Sequence, residues 1–130
     1  MPRSNVNSVL AEARLSKIVR LIRSRPDCSV SELALAVHLS PAHLQRLFKQ
    51  QTGLHVRDLI GEHRLRKAVR LLASSEMPIK EIAHAVGYEH HSSFVRAFQR
   101  HFAQSPKYYR QHNYSTLADG LQLEEKAAAD

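Results

Sequence analysis

At 130 residues the chain can hold one domain or two very small ones, and it is too short for a multidomain enzyme. Its 43% of hydrophobic residues can build a core, while four Gly, five Pro, four Phe, four Tyr and no Trp disfavour a turn-rich sandwich or barrel and favour helices. Nineteen Lys+Arg against twelve Asp+Glu give a net charge of +7, which suits a polyanionic partner.

Hydrophobic periodicity is helical along most of the chain. After an N-terminal arm over 1–14, Leu15, Ile18, Val19 and Ile22 form an i, i+3, i+4, i+7 stripe that closes at Pro26-Asp27. Ser29 or Ser31 caps a short helix bearing Leu33, Ala34 and Val37, and His38-Leu39 follow as a turn. Ser40-Pro41 reads as the N-cap and first position of a helix with Leu44, Leu47, Phe48 and Gln51 on one face, ended by Thr52-Gly53. A longer helix from about Val56 to Ala73 packs through Leu59, Ile60, Ala68, Leu71 and Leu72. Pro78 starts a short helix with Ile82, Ala83 and Val86, and Gly87-Tyr88 make a turn. The next helix carries Phe94, Ala97, Phe98 and His101, and Ser105-Pro106 begins a last one. No run alternates convincingly enough to be a strand, so the expected class is all-α.

An internal repeat organises these elements. Glu32-Leu33-Ala34-Leu35-Ala36-Val37 aligns with Glu81-Ile82-Ala83-His84-Ala85-Val86 at an offset of 49. Beyond the turn the offset is 50, matching Leu44-Gln45-Arg46-Leu47-Phe48 to Phe94-Val95-Arg96-Ala97-Phe98, so the second turn is one residue longer. Each copy is a short helix, a tight turn and a second striped helix. Ala34 and Ala83 sit where two crossing helices approach closely. That is the layout of a helix-turn-helix, whose second helix enters the DNA major groove.

The competing reading is a six- or seven-helix bundle with a duplicated hairpin and no nucleic acid. Charge placement argues against it. The stripe opposite the core is Ala42, Gln45, Arg46 and Lys49 in the first copy and Ser92, Val95, Arg96 and Gln99 in the second. Both stripes lack acids and centre on an arginine, whose fork suits guanine edges and phosphates, whereas an ordinary solvated face mixes charges. Residues 1–113 hold 18 of the bases and 8 of the acids, because Asp119, Glu124, Glu125 and Asp130 lie in the tail against Lys126 alone.

On these residues the chain resembles a known family. Val86-Gly87-Tyr88, Ser92, Phe94, Arg96, Phe98 and Ser105-Pro106-Lys107-Tyr108-Tyr109-Arg110 resemble the signature of the AraC/XylS family of bacterial transcription regulators. His43-Leu44-Gln45-Arg46-Leu47-Phe48-Lys49 through Thr52-Gly53, and Arg64-Leu65 with Ala68 and Leu71-Leu72, resemble the same family, so the likeness covers Leu15 to Arg110. It implies two helix-turn-helix subdomains, homeodomain-like three-helix units, joined by a long linker helix. The corresponding division is an arm over 1–14, subdomains over 15–54 and 75–113, a linker over 55–74 and an acidic, flexible tail over 114–130. The function implied is sequence-specific promoter binding, usually for activation through RNA polymerase.

Carried over residue by residue, the resemblance places base contacts on Ala42, Gln45 and Arg46, and on His91, Ser92 and Arg96. The wider DNA-contacting set adds Ser40, His43, Lys49, His90, Ser93, Gln99, Arg100 and Lys107. Three departures stand out. Ala42 replaces a large aromatic found in close small relatives, His55-Val56 replaces a Ser-Pro, and Ala103 stands where the family prefers glycine. A left-handed cap at Ala103 would cost about 1 kcal/mol.

Other chemistries find less support. Nine His invite a metal, but Cys28 is the sole cysteine and adjacent His90 and His91 cannot face one way on a helix, so no metal or other cofactor is expected. Cys28 reads as an inert thiol, and it cannot form an internal disulfide. No nucleophile elbow or glycine-rich phosphate loop is present, so no catalytic residue is assigned and the chain is not expected to be an enzyme. The basic stretch Arg64-Leu65-Arg66-Lys67-Ala68-Val69-Arg70 lacks the aromatic anchors of a membrane-surface helix. No run nears about 18 apolar residues, and Met1-Pro2-Arg3-Ser4-Asn5 has no apolar leader, which fits the cytoplasm. The alternative function is a helical protein-interaction module whose basic face binds an acidic protein. The leading expectation is one monomer on double-stranded promoter DNA: a linker helix of about 18 residues spans roughly 27 Å at 1.5 Å per residue, which suits successive major grooves.

Overall fold

The computed structural model describes residues 2–112, with side chains from Val9 onward. The acidic tail expected over 114–130 lies outside the described residues. In chain order the elements are α1 (Pro2–Ser24), α2 (Val30–Ala36), α3 (Pro41–Thr52), α4 (Val56–Ser74), α5 (Ile79–Ala85), α6 (His91–Phe102) and α7 (Pro106–His112). Among the described residues there is no strand, so the chain is all-α as expected.

The helix expected from Leu15 begins at Pro2, so the backbone of the segment read as an arm is helical. Proline at the first helical position and the absence of Gly or Pro between Pro2 and Pro26 allow that run. The chain divides into two compact units, with the division inside α4 between His63 and Arg64. The long linker helix is therefore shared: its first half supplies one core and its second half the other.

In the first unit, Ile18 and Ile22 of α1, Leu33 and Ala34 of α2, Leu44 and Phe48 of α3, and Val56 and Ile60 of α4 form a buried cluster. Cys28 is buried in the same cluster, where an apolar setting keeps a thiol unreactive. Ser29, not Ser31, caps α2: its Oγ accepts the Glu32 N–H at 3.1 Å. Lys17 on α1 donates its ammonium to the Ala36 carbonyl at 2.9 Å, covering the open C-terminal end of α2.

In the second unit, Leu65, Ala68, Val69 and Leu72 of α4 pack with Ile82, Ala83, Val86, Phe94 and Phe98. Rings extend this core. Phe98 lies 4.5 Å from Phe102 and 5.5 Å from Tyr109 between ring centroids, so α6 and α7 are joined through aromatic edges. Gln51 and His101, expected on the apolar faces, are both exposed.

Both turns end their first helix in one way. The N–H of Leu39 reaches back to the Ala34 carbonyl at 2.9 Å, and that of Tyr88 to Ala83 at 2.9 Å, while the residue between swings to positive φ. That bond pattern is a Schellman closure, and its left-handed position is held by His38 (φ 59°) in one unit and Gly87 (φ 108°) in the other.

Candidate nucleic-acid interface

Each candidate recognition helix is fixed by its own ends and core residues. Ser40 caps α3, its Oγ accepting the His43 N–H at 3.1 Å. At the far end Gly53 is left-handed (φ 76°) and donates to the Lys49 carbonyl at 2.9 Å. Leu44 and Phe48, four apart, anchor the inner face. α6 repeats the design with Phe94 and Phe98 inside, and His90 at the cap without a side-chain hydrogen bond. Ala103 closes it at φ 60°, donating to the Gln99 carbonyl at 2.8 Å.

Burial runs in parallel along the two helices. Leu44 and Phe94, then Phe48 and Phe98, are buried, Gln45 and Val95 are half-buried, and Arg46 and Arg96 are exposed. Ala42 and Ser92, His43 and Ser93, and Lys49 and Gln99 are also exposed in matched pairs. The stripes expected to read DNA therefore face outward in both units. Neither helix contains an acid. Neither Arg46 nor Arg96 makes an ion pair or hydrogen bond among the described residues, so both forks are available to a ligand.

The remaining candidates fall into different roles. Lys49 spends one ammonium donor on the Gly53 carbonyl at 2.7 Å, so it closes α3 as well as adding charge. Ser40 likewise uses its oxygen as a cap. Arg100 is exposed on α6, and His90 and His91 are exposed at its start. Lys107 is exposed but lies in the first turn of α7, the helix after α6, rather than on the second candidate recognition helix itself. Repeat symmetry pairs half-buried Val95, already in the outward stripe, with Gln45, and it adds exposed Gln50, counterpart of Arg100, as a position the sequence reading did not single out. Applying the offset of 50 in both directions would have found Gln50.

Behind α6, Tyr88 is held by the core and by α4. Its ring lies 5.5 Å from that of Phe94, and the Arg64 guanidinium sits 5.4 Å from its centroid. Burial pushes the Tyr88 hydroxyl above its ordinary pKa, with the Arg64 charge opposing. It therefore stays a neutral phenol at physiological pH. Among the described residues no group of three or more His, Cys, Asp or Glu could hold a metal ion, and no helix is long and apolar enough to cross a membrane.

Residues 33–112 match the family described as a helix-turn-helix domain. The chain is 38% identical over 108 residues to the HTH-type transcriptional regulator AlkR of Acinetobacter baylyi, covering 80% of this chain and 35% of AlkR. It thus spans about a third of that relative's length. Among solved structures, the C-terminal domain of AraT, a response regulator from Geobacillus stearothermophilus, is 32% identical with a TM-score of 0.63, covering 78% of this chain and 84% of that one. A Chromobacterium violaceum regulator of the AraC-type DNA-binding-domain class is 28% identical with a TM-score of 0.64, covering 77% and 91%. Such proteins are transcription regulators, not enzymes. With its duplicated helix-turn-helix and this match over most of its described residues, the chain belongs to the AraC-type helix-turn-helix family.

Proposed function

We propose that the chain is a sequence-specific promoter-binding regulator that lays α3 and α6 in successive major grooves of double-stranded DNA and activates transcription by recruiting RNA polymerase. The observation that carries the reading is the matched pair of outward, acid-free faces, each centred on an unpartnered arginine. A protein-interaction module would have no need of two such faces on two helices of equal length whose burial matches over their first eleven positions. Ala42, Gln45 and Arg46 read one half of the site, and His91, Ser92 and Arg96 the other. Ser40, His43, Lys49, His90, Ser93, Gln99, Arg100 and Lys107 add backbone and flanking contacts.

The test begins with selection of a binding site from random duplexes, followed by gel shifts in competitor DNA. A good bidentate arginine contact discriminates by about 1–3 kcal/mol. Arg46→Ala, and separately Arg96→Ala, should weaken the selected site more than unrelated DNA. Equal losses on both would reduce these residues to phosphate contacts, and failure to enrich any sequence would overturn the reading. A reporter driven by the selected site should rise in output when the chain is expressed; a fall would make it a repressor.

A further inference from the structure

Beside α3, the first turn of α4 borders a cleft of about 340 Å3 lined by Gln45, His55, Val56, Arg57 and Asp58. Val56 is its floor, 1% exposed, and Gln45 reaches it from the recognition helix. His55, Arg57 and Asp58 are exposed at its rim. Neither the Arg57 guanidinium nor the Asp58 carboxylate has a side-chain partner among the described residues. The repeat gives this rim a counterpart: at the offset of 50, Arg57 corresponds to Lys107 and Asp58 to Tyr108. One basic residue therefore follows each recognition helix at the same place, and in the first unit an acid follows it.

We propose that this cleft seats one backbone phosphate of the bound DNA, held by Arg57 beside the bases that α3 reads, and that Asp58 weakens the hold. The proposal rests on the DNA-binding reading above. A guanidinium presents paired donors that match two phosphate oxygens, and contacts of this kind fix the register of a recognition helix without choosing a base. Gln45 ties the seat to reading, because the same side chain lines the cleft and stands in the outward stripe of α3. Asp58 brings a like charge to the phosphate, so the first unit grips the backbone less tightly than a lone arginine would allow. Tyr108 at the counterpart position leaves Lys107 unopposed in the second unit.

The test is a salt titration of DNA affinity with the full chain, on the selected duplex and on an unrelated one. Each neutralised phosphate contributes about 0.9 to the slope of log affinity against log salt. Arg57→Gln should weaken binding several-fold and equally on both duplexes, and flatten the slope by about 0.9. Asp58→Asn should do the reverse, tightening both several-fold at low salt with a gain that fades as salt screens it. A damaged fold could not bind more tightly, so this second variant separates charge from stability. If wild-type chain binds DNA while Arg57→Gln changes neither affinity nor slope, the seat is overturned and the DNA-binding reading stands. A loss confined to the selected duplex would make Arg57 a base contact and overturn it too. An unchanged Asp58→Asn would remove the opposing role of the acid, and a wild-type chain that binds no DNA would overturn the parent reading itself.

Discussion

Ala103 and Gly53 perform one task with different side chains. They close α6 and α3 in the left-handed region, at φ 60° and 76°, and both donate to the carbonyl four residues back. A Cβ in that region crowds the following carbonyl, which glycine avoids, although glycine also loses more freedom on folding. Beyond its own chain neighbours, no atom would lie within 4 Å of a Cβ at Gly53, so the local backbone conformation sets the cost there. Ala103→Gly should therefore stabilise the protein by about 0.5–1 kcal/mol, and Gly53→Ala should destabilise it by about 1 kcal/mol. Urea unfolding monitored by circular dichroism measures both; exchanges that moved stability in one direction would show that packing, not φ, governs the caps. His38, at φ 59° where the second copy has Gly87, is the same problem in milder form, since histidine is among the residues that tolerate this region best.

α4 is terminated from a distance. Arg110 of α7 donates Nε to the Leu72 carbonyl and Nη2 to the Ser75 carbonyl, both at 3.3 Å, so one guanidinium satisfies two of the orphan acceptors at that helix end. Arg110→Ala should cost the second unit about 1.5 kcal/mol, the low end for bonds to a charged donor, because both are long and half-buried. Arg110→Lys should recover only part, since an ammonium lacks the planar fork. Thermal melts of both variants give the answer, and full rescue by lysine would mean that charge at the helix terminus matters more than the paired bonds. Such a cap joins residues 38 and 35 apart, and no local pattern announces it. What was legible in the sequence was local or periodic: Ser40-Pro41, Gly53, Gly87-Tyr88 and Ser105-Pro106 marked helix ends, and the offsets of 49 and 50 paired the two units. The outward stripes followed from those pairings alone. Leu65 and Val69 were missed as core residues because α4 serves two units, and a search for one continuous stripe along it finds neither half cleanly. The start of α1 was missed because residues 2–14 are too polar to show a stripe, yet contain nothing that breaks a helix.

At the scale of the whole molecule, the function proposed above has duplication take the place of dimerisation. A helix-turn-helix protein with one recognition helix needs a second copy to occupy two half-sites about 34–36 Å apart, and the symmetry of the pair imposes a palindrome. This chain carries two candidate recognition helices, α3 and α6, that match in burial along most of their length and differ in content. Gln45 stands against Val95, His43 against Ser93 and Lys49 against Gln99, in positions of matching burial. An amide at the first of these can pair with adenine, whereas valine can offer only apolar contact such as to a thymine methyl. On the proposed reading the two half-sites differ, and a second copy would gain nothing by adding two-fold symmetry. One chain should bind one duplex of about two turns carrying an asymmetric site, and reversing one half-site should cost affinity. Native mass spectrometry on a short duplex reads the stoichiometry directly. A complex of strictly two chains on a palindrome, with no one-to-one species at any ratio, would mean that the second recognition helix of each chain serves something other than the site.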